Sequence, residues 1–240
     1  MDISLAEAAM AFLVIAVGSA VQGAVGFGAA LIAAPILVLI EPRLVPGPVL
    51  MSMIVLVALM LAREHRHVDV PGLGWALTGR IPGTALALAT MAVLPERGLV
   101  LGVGIVVLLG VAMSASGLHF RPTPRTLVGA GLMAGFMGTS TSIGGPPMAL
   151  TYQASVGSEL RGSLSGHFLI GASISLGALV LGGHIGWPEL VGSALLVPGT
   201  VAGFLVSLRL APVIDRGYTR HAILSLSAFA GAVVIVKELL

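Results

Sequence analysis

VQGAVGFGAALIAAP, Val21 to Pro35, and GFMGTSTSIGGPP, Gly135 to Pro147, are the two stretches that decide the fold. Each lies near the centre of an apolar run, roughly residues 5 to 40 and 126 to 158. As unbroken α-helices these runs would measure about 54 and 50 Å, against a hydrocarbon core of about 30 Å. Glycines and hydroxyl residues interrupt both near the middle. Each run is therefore expected to consist of two half-helices that meet at a tip, a re-entrant hairpin rather than a single pass.

The rest of the chain is as apolar as these runs. Hydrophobic residues make up 57% of the 240 and charged residues 9%, too few to cover a water-facing surface. Six further apolar segments, near 44 to 62, 72 to 94, 98 to 118, 162 to 183, 188 to 208 and 220 to 236, have single-pass length. The expected fold is an all-α polytopic membrane protein. The chain opens with Asp2 and Glu7 and without a basic leader, so the first apolar run is expected in the mature protein. There is no cysteine, hence no disulfide or thiolate metal site, and a net charge of +2 gives no reason to expect a nucleic-acid partner.

The basic residues test the hairpins, because a hairpin returns to the face it left. If both long runs fold back, Arg63, Arg66, Arg80, Arg121, Arg125, Arg161, Arg209, Arg216 and Arg220 lie towards one face and Arg43, Arg97 and Lys237 towards the other. If both cross once, the same residues divide evenly. A biased distribution orients a membrane protein, so the folded-back topology is favoured, with the arginine-rich face in the cytoplasm.

The chain also repeats itself. Gly23, Gly26 and Pro35 recur 112 positions later as Gly135, Gly138 and Pro147, Pro82-Gly83-Thr84 recurs as Pro198-Gly199-Thr200, and Arg97-Gly98 as Arg216-Gly217. Residues 1–120 and 121–240 thus read as two copies of one unit within a single transmembrane domain. Each would hold one hairpin and three crossings, an odd number, so the copies would be inverted, with Trp75 and Trp187 at opposite interfaces. Inverted repeats with broken helices are a transporter architecture, with the site near the midplane.

A half-helix that starts inside the membrane presents unpaired N–H groups and the positive end of its dipole, which favours an anion. The second tip offers Ser140, Thr141 and Ser142 after Thr139, then Gly144 and Gly145; the first offers Gly26, Phe27 and Gly28, with Gln22 nearby. The competing reading is that these small residues only permit close helix packing. Three further residues are gating or coupling candidates. Arg80 lends charge to the cytoplasmic mouth or snorkels at the interface, His167 carries a proton or serves helix packing, and Tyr152, with Gln153, closes the second tip or sits at an interface. His65, His67, His119 and His221 fall in or beside loops and read as solvated, not as a metal site.

Other chemistries find no support. There is no GxxxxGK[ST] loop, no HExxH and no GxSxG setting for Ser165, so neither an ATPase nor a hydrolase is expected, and no metal or cofactor. The expected partners are a small anion and the lipid bilayer, and the sequence is compatible with a homo-oligomer.

GAVGFGAALIAAPIL, its counterpart GFMGTSTSIGGPPMAL, the Pro-Gly-Thr helices of both halves and the overall length resemble the sulfite exporter TauE/SafE family of bacterial membrane proteins. The resemblance covers nearly the whole chain. It implies a multi-pass protein of the bacterial cytoplasmic membrane that moves a small sulfur-containing anion, of the sulfite or organosulfonate class, by secondary transport. A passive anion channel of the same architecture is the alternative. Ala29-Ala30 after Gly28, and Thr139 to Ser142, depart from a more glycine-rich family pattern and bear on the substrate.

Overall fold

The computed structural model describes residues 3–118, 120–152, 157–214 and 219–239. The described residues form α-helices and two short 3-10 turns, with no strand among them.

Helix α1 (Leu5–Val25) opens with a capping box: Ser4 Oγ accepts from the Glu7 N–H, and the Glu7 carboxylate accepts from the Ser4 N–H. It stops at Gly26, with φ 109°, and α2 (Ala29–Ile40) starts from Gly28, with φ 114°. Side chains rarely adopt that backbone region, so glycine fixes the break here. The second run breaks at Ser142, with φ 66°, between α6 (Pro124–Thr141) and α7 (Gly145–Thr151).

Both runs fold back. A Cβ on Gly18 would stand 2.8 Å from the Ala29 carbonyl oxygen, and one on Gly144 2.9 Å from that of Ala134. An unbroken helix would hold each pair about 15 Å apart. The expectation of two half-helices needs correction, however, because the arms are unequal. The outgoing arms α1 and α6, of 21 and 18 residues, are about 31 and 27 Å long, while α2 and α7, of 12 and 7, return about 18 and 10 Å.

The remaining helices are α3 (Gly47–Glu64), α4 (Val70–Val93), α5 (Glu96–Ala115), α8 (Gly157–Leu181), α9 (Trp187–Ile214) and α10 (Thr219–Leu239). Among the described residues, 6 stretches are long and apolar enough to cross a membrane, from Leu5–Val25 to Trp187–Leu210. Large apolar side chains such as Leu13, Leu86, Leu109 and Phe229 are exposed on the outside, where a bilayer covers them. The protein is an all-α, multi-pass membrane protein. Arg97 Nε donates to the Glu238 carbonyl at 2.6 Å, so the start of α5 and the end of α10 share one end of the bundle. Single crossings by both long runs would put them at opposite ends.

The two halves interlock. Helix α1 packs along α9 and α6 along α4, while α3 meets α8 and α5 meets α10. The repeated Pro-Gly-Thr motif explains the first two contacts. A Cβ on Gly83 would collide with the Leu132 carbonyl of α6, and one on Gly199 would lie 2.7 Å from the Phe12 carbonyl of α1. Each motif helix thus seats its backbone against the other half's outgoing arm, as small residues allow in membranes. The repeat register changes at the tips. Motif matching aligns Gly26 with Gly138, but Gly138 lies inside α6; Gly28 and Gly144 differ by the same 116 positions as Gly83 and Gly199.

Candidate functional site

Both tips border one cavity of about 50 Å³. That is several times the roughly 10–15 Å³ that holds one water. Gln22 and Gly28 come from the first hairpin, Ser142, Gly144 and Gly145 from the second, and Arg80 from α4. Helix α3 contributes only apolar side chains, Leu50, Met53 and Val57, and α8 adds Phe168 and Ala172.

Arg80 is 2% exposed, which corrects its reading as a snorkelling arginine at the interface. Helix α4 begins at Val70, so Arg80 stands ten residues, about 15 Å, along it. Its guanidinium occupies a slot between two glycines. A Cβ on Gly171 would collide with it, and one on Gly138 would lie 3.2 Å from Nη2. Nη2 donates to Ser175 Oγ at 3.1 Å, and Nη1 faces His167 Nε2 at 3.2 Å. Behind Ser175 runs a hydroxyl chain, with Thr139 Oγ1 at 2.7 Å and Thr84 Oγ1 a further 3.1 Å on. Because a guanidinium only donates and Thr139 donates to Thr84, the chain runs one way, from Arg80 through Ser175 and Thr139 to Thr84. Nε of Arg80 has no hydrogen-bond partner, and no carboxylate among the described residues is paired with the guanidinium.

A guanidinium keeps its charge at any pH a protein meets. Taking such a charge out of water costs several kcal/mol unless a counter-charge and hydrogen bonds replace the lost hydration. Arg80 has part of the hydrogen bonding and no counter-charge among the described residues, in the wall of a cavity.

The tips supply fewer donors than their helix ends suggest. Ala29 N–H donates to Gln22 Oε1 at 3.0 Å, so the amide oxygen of Gln22 is committed and its NH₂ is the donor side. In the second tip, Pro146 and Pro147 follow Gly145, and proline has no N–H. Ser142 Oγ donates to the Pro46 carbonyl at 2.9 Å. The fixed positive charge of the cavity is therefore Arg80.

Each hairpin is clamped at a different end of α3. At the arginine-rich end, Glu64 Oε1 accepts from Arg63 Nε at 3.1 Å and from Arg161 Nε at 3.0 Å. Arg63 Nη2 also donates to the Gly23 carbonyl at 2.9 Å, holding the first tip, and the Arg161 side chain lies against Gly26. At the other end, the Ser142–Pro46 bond separates the cavity from a second one of about 190 Å³, which Pro46, Ser140, Arg43, Glu96, His184 and Glu189 help to line.

Of the residues singled out in the sequence, Gln22, Gly28, Ser142, Gly144, Gly145 and Arg80 meet at the cavity. His167 stands behind Arg80, and Phe27 packs on Gly145. Gly26 lies at the clamp with Arg161. Ser140 turns to the second cavity with its hydroxyl on the Phe136 carbonyl, and Thr141 bonds the Met137 carbonyl. Tyr152 donates to Asp69 Oδ2 at 2.9 Å, joining the end of α7 to the start of α4, away from the cavity. Gln153, His119 and the Arg216-Gly217 pair lie outside the described residues. Sequence reasoning did not find Leu50, Met53, Val57, Phe168 and Ala172, which carry no signal apart from other apolar helix positions. It also missed Ser175 and Gly171, which only the fold brings to Arg80.

A buried guanidinium with no acidic partner among the described residues thus lines a small cavity between two hairpins, each tied down at its own end of α3. Neither the curated proteins nor the solved structures include a match to this chain. The family model described as Sulfite exporter TauE/SafE matches residues 10–234. The chain belongs to this family of membrane transporters for sulfite and related anions.

Proposed function

We propose that this protein is a secondary transporter that carries a small sulfur-containing anion across the cytoplasmic membrane, with the anion bound at Arg80 between the hairpin tips. The observation that carries this reading is the Arg80 guanidinium itself, buried, unpaired with any described carboxylate and exposed to the cavity. An anionic group there supplies the missing counter-charge. Gln22 and the Gly145 N–H are further donors within the same wall. The apolar surface from Leu50, Met53, Val57 and Phe168 suits an anion with a short hydrocarbon part, so an organosulfonate fits better than bare sulfite.

Transport uses the two clamps. Releasing Glu64 from Arg161 frees the first tip towards the cytoplasm, and releasing Ser142 from Pro46 opens the cavity to the outer one. One clamp opens while the other holds. A channel needs both paths open together, and the clamps at both ends favour the carrier.

Flux in liposomes reconstituted with the purified protein tests this. With sulfite, sulfate, thiosulfate, sulfoacetate and taurine as the panel, sulfoacetate is expected to move fastest, and unlabelled substrate on the far side is expected to accelerate uptake, as exchange through a carrier requires. Flux indifferent to substrate on the far side identifies a channel, and no flux of any anion in the panel removes the reading.

A further inference from the structure

His167 is 1% exposed, and no part of the binding account above uses it. Its Nε2 faces Arg80 Nη1 at 3.2 Å. Arginine can only donate, so Nε2 is the acceptor, and the ring proton is on Nδ1. Nδ1 is buried without a hydrogen-bond partner. The ring is therefore a neutral base whose one lone pair is occupied by the residue that holds the anion.

We propose that His167 takes up one proton when a doubly charged anion binds, so that dianions cross as the anion plus a proton. This inference rests on the reading of Arg80 as the anion ligand. An anion at Arg80 draws Nη1 off Nε2 and vacates the lone pair. A proton from the aqueous phase then forms an Nε2–H bond, the Nδ1–H stays, and the ring becomes an imidazolium. Charge decides when this happens. Arg80 alone neutralises a monoanion, and a dianion leaves one negative charge that protonated His167 cancels. Without an anion the same proton would put two cations in hydrogen-bond contact inside the membrane.

No other described group competes for that role. On α3, Glu64 is bound by Arg63 and Arg161. At the start of α4, Asp69 accepts from Tyr152, which follows α7, and from the Gly72 N–H. His65 and Arg66, in the turn between α3 and α4, are exposed, Arg125 of α6 is exposed, and Glu159 and Arg161 lie near the start of α8. The Phe168 ring meets the imidazole edge-on at 5.8 Å. Among the described residues, only Arg80 touches the ring with a charge.

Calorimetry on the purified protein, in buffers of different ionisation enthalpy and over a range of pH, counts the protons exchanged on binding. Sulfate and methanesulfonate are the probes, a dianion and a monoanion whose charges do not change near neutrality. Sulfate binding is expected to take up close to one proton, and its affinity to fall by up to about tenfold per unit rise in pH. Methanesulfonate is expected to take up far less. In His167→Gln, sulfate binds without proton uptake and with a flat pH profile. Sulfate binding without proton uptake in the wild type, or with the same uptake in His167→Gln, overturns the inference and leaves the Arg80 site standing. Binding of methanesulfonate with none of sulfate also overturns it. Binding of neither anion overturns both. If His167→Gln does not fold, the contrast between the two anions in the wild type decides.

Discussion

In the proposed site a single arginine, Arg80, sets the chemistry, and its neighbours hold it in place. Gly171 leaves no room for a Cβ beside the guanidinium, so Gly171→Ala is expected to displace Arg80 and abolish anion binding while the protein still folds. A melting temperature close to wild type with binding lost is the expected pair of results. The hydroxyl chain makes a graded version of the same test. Thr139→Val removes a hydrogen bond two steps from Arg80 and is expected to weaken binding by about 0.5–1.5 kcal/mol. Ser140→Ala is expected to leave binding unchanged, because that hydroxyl serves the Phe136 carbonyl. Titrations of the two variants side by side separate these serine and threonine roles. In the sequence the four hydroxyls from Thr139 to Ser142 look alike. The structure gives Thr139 to Arg80's support, Ser140 to a second cavity, Thr141 to the Met137 carbonyl of its own helix and Ser142 to the clamp, which no reading of a tetrapeptide resolves.

At the scale of elements, the breaks were legible and the arm lengths were not. Glycines at 26 and 28 marked the first break because its backbone needs left-handed residues. Hydropathy alone does not say where between residues 5 and 40 the chain turns, and the break falls well past the centre, making α1 a nearly full crossing. Arg80 was placed too shallow for a related reason. The hydrophobic segment reads from about residue 72, whereas Asp69 caps a helix from Val70, its carboxylate accepting the Gly72 N–H at 3.0 Å. Gln22 is the most exacting residue of the first tip. Gln22→Leu leaves the Ala29 N–H buried without a partner and is expected to cost about 1–3 kcal/mol, measured as a drop in thermal stability in detergent.

Across the whole molecule, the two halves hold each other's hairpins. The Pro-Gly-Thr motif recurs in the sequence, and at both places its glycine docks on another helix, Gly83 on α6 and Gly199 on α1. Gly83→Leu and Gly199→Leu are both expected to destabilise the bundle by more than the ~1–3 kcal/mol typical of overpacking, since the Leu132 carbonyl stands opposite Gly83, and the Phe12 carbonyl with the Ile15 side chain opposite Gly199. Loss of folded protein on size-exclusion chromatography in both variants is the expected outcome. The basic residues chose the topology from sequence alone, and the contact between Arg97 and Glu238 agrees with that choice. The paired clamps were not legible, because Glu64 and Arg161 sit in different halves, 97 positions apart, and neither is remarkable in its local setting.

In the proposed site an anion rests on Arg80 between the two tips, with its hydrocarbon part against α3. Bromoethanesulfonate, diffused into crystals of the protein, locates both ends of such an anion, because bromine scatters anomalously. An anomalous peak beside Leu50, Met53 and Val57 is expected, with the sulfonate against Arg80. A bromine peak outside this cavity, or a sulfonate held by other residues with Arg80 unoccupied, would contradict it.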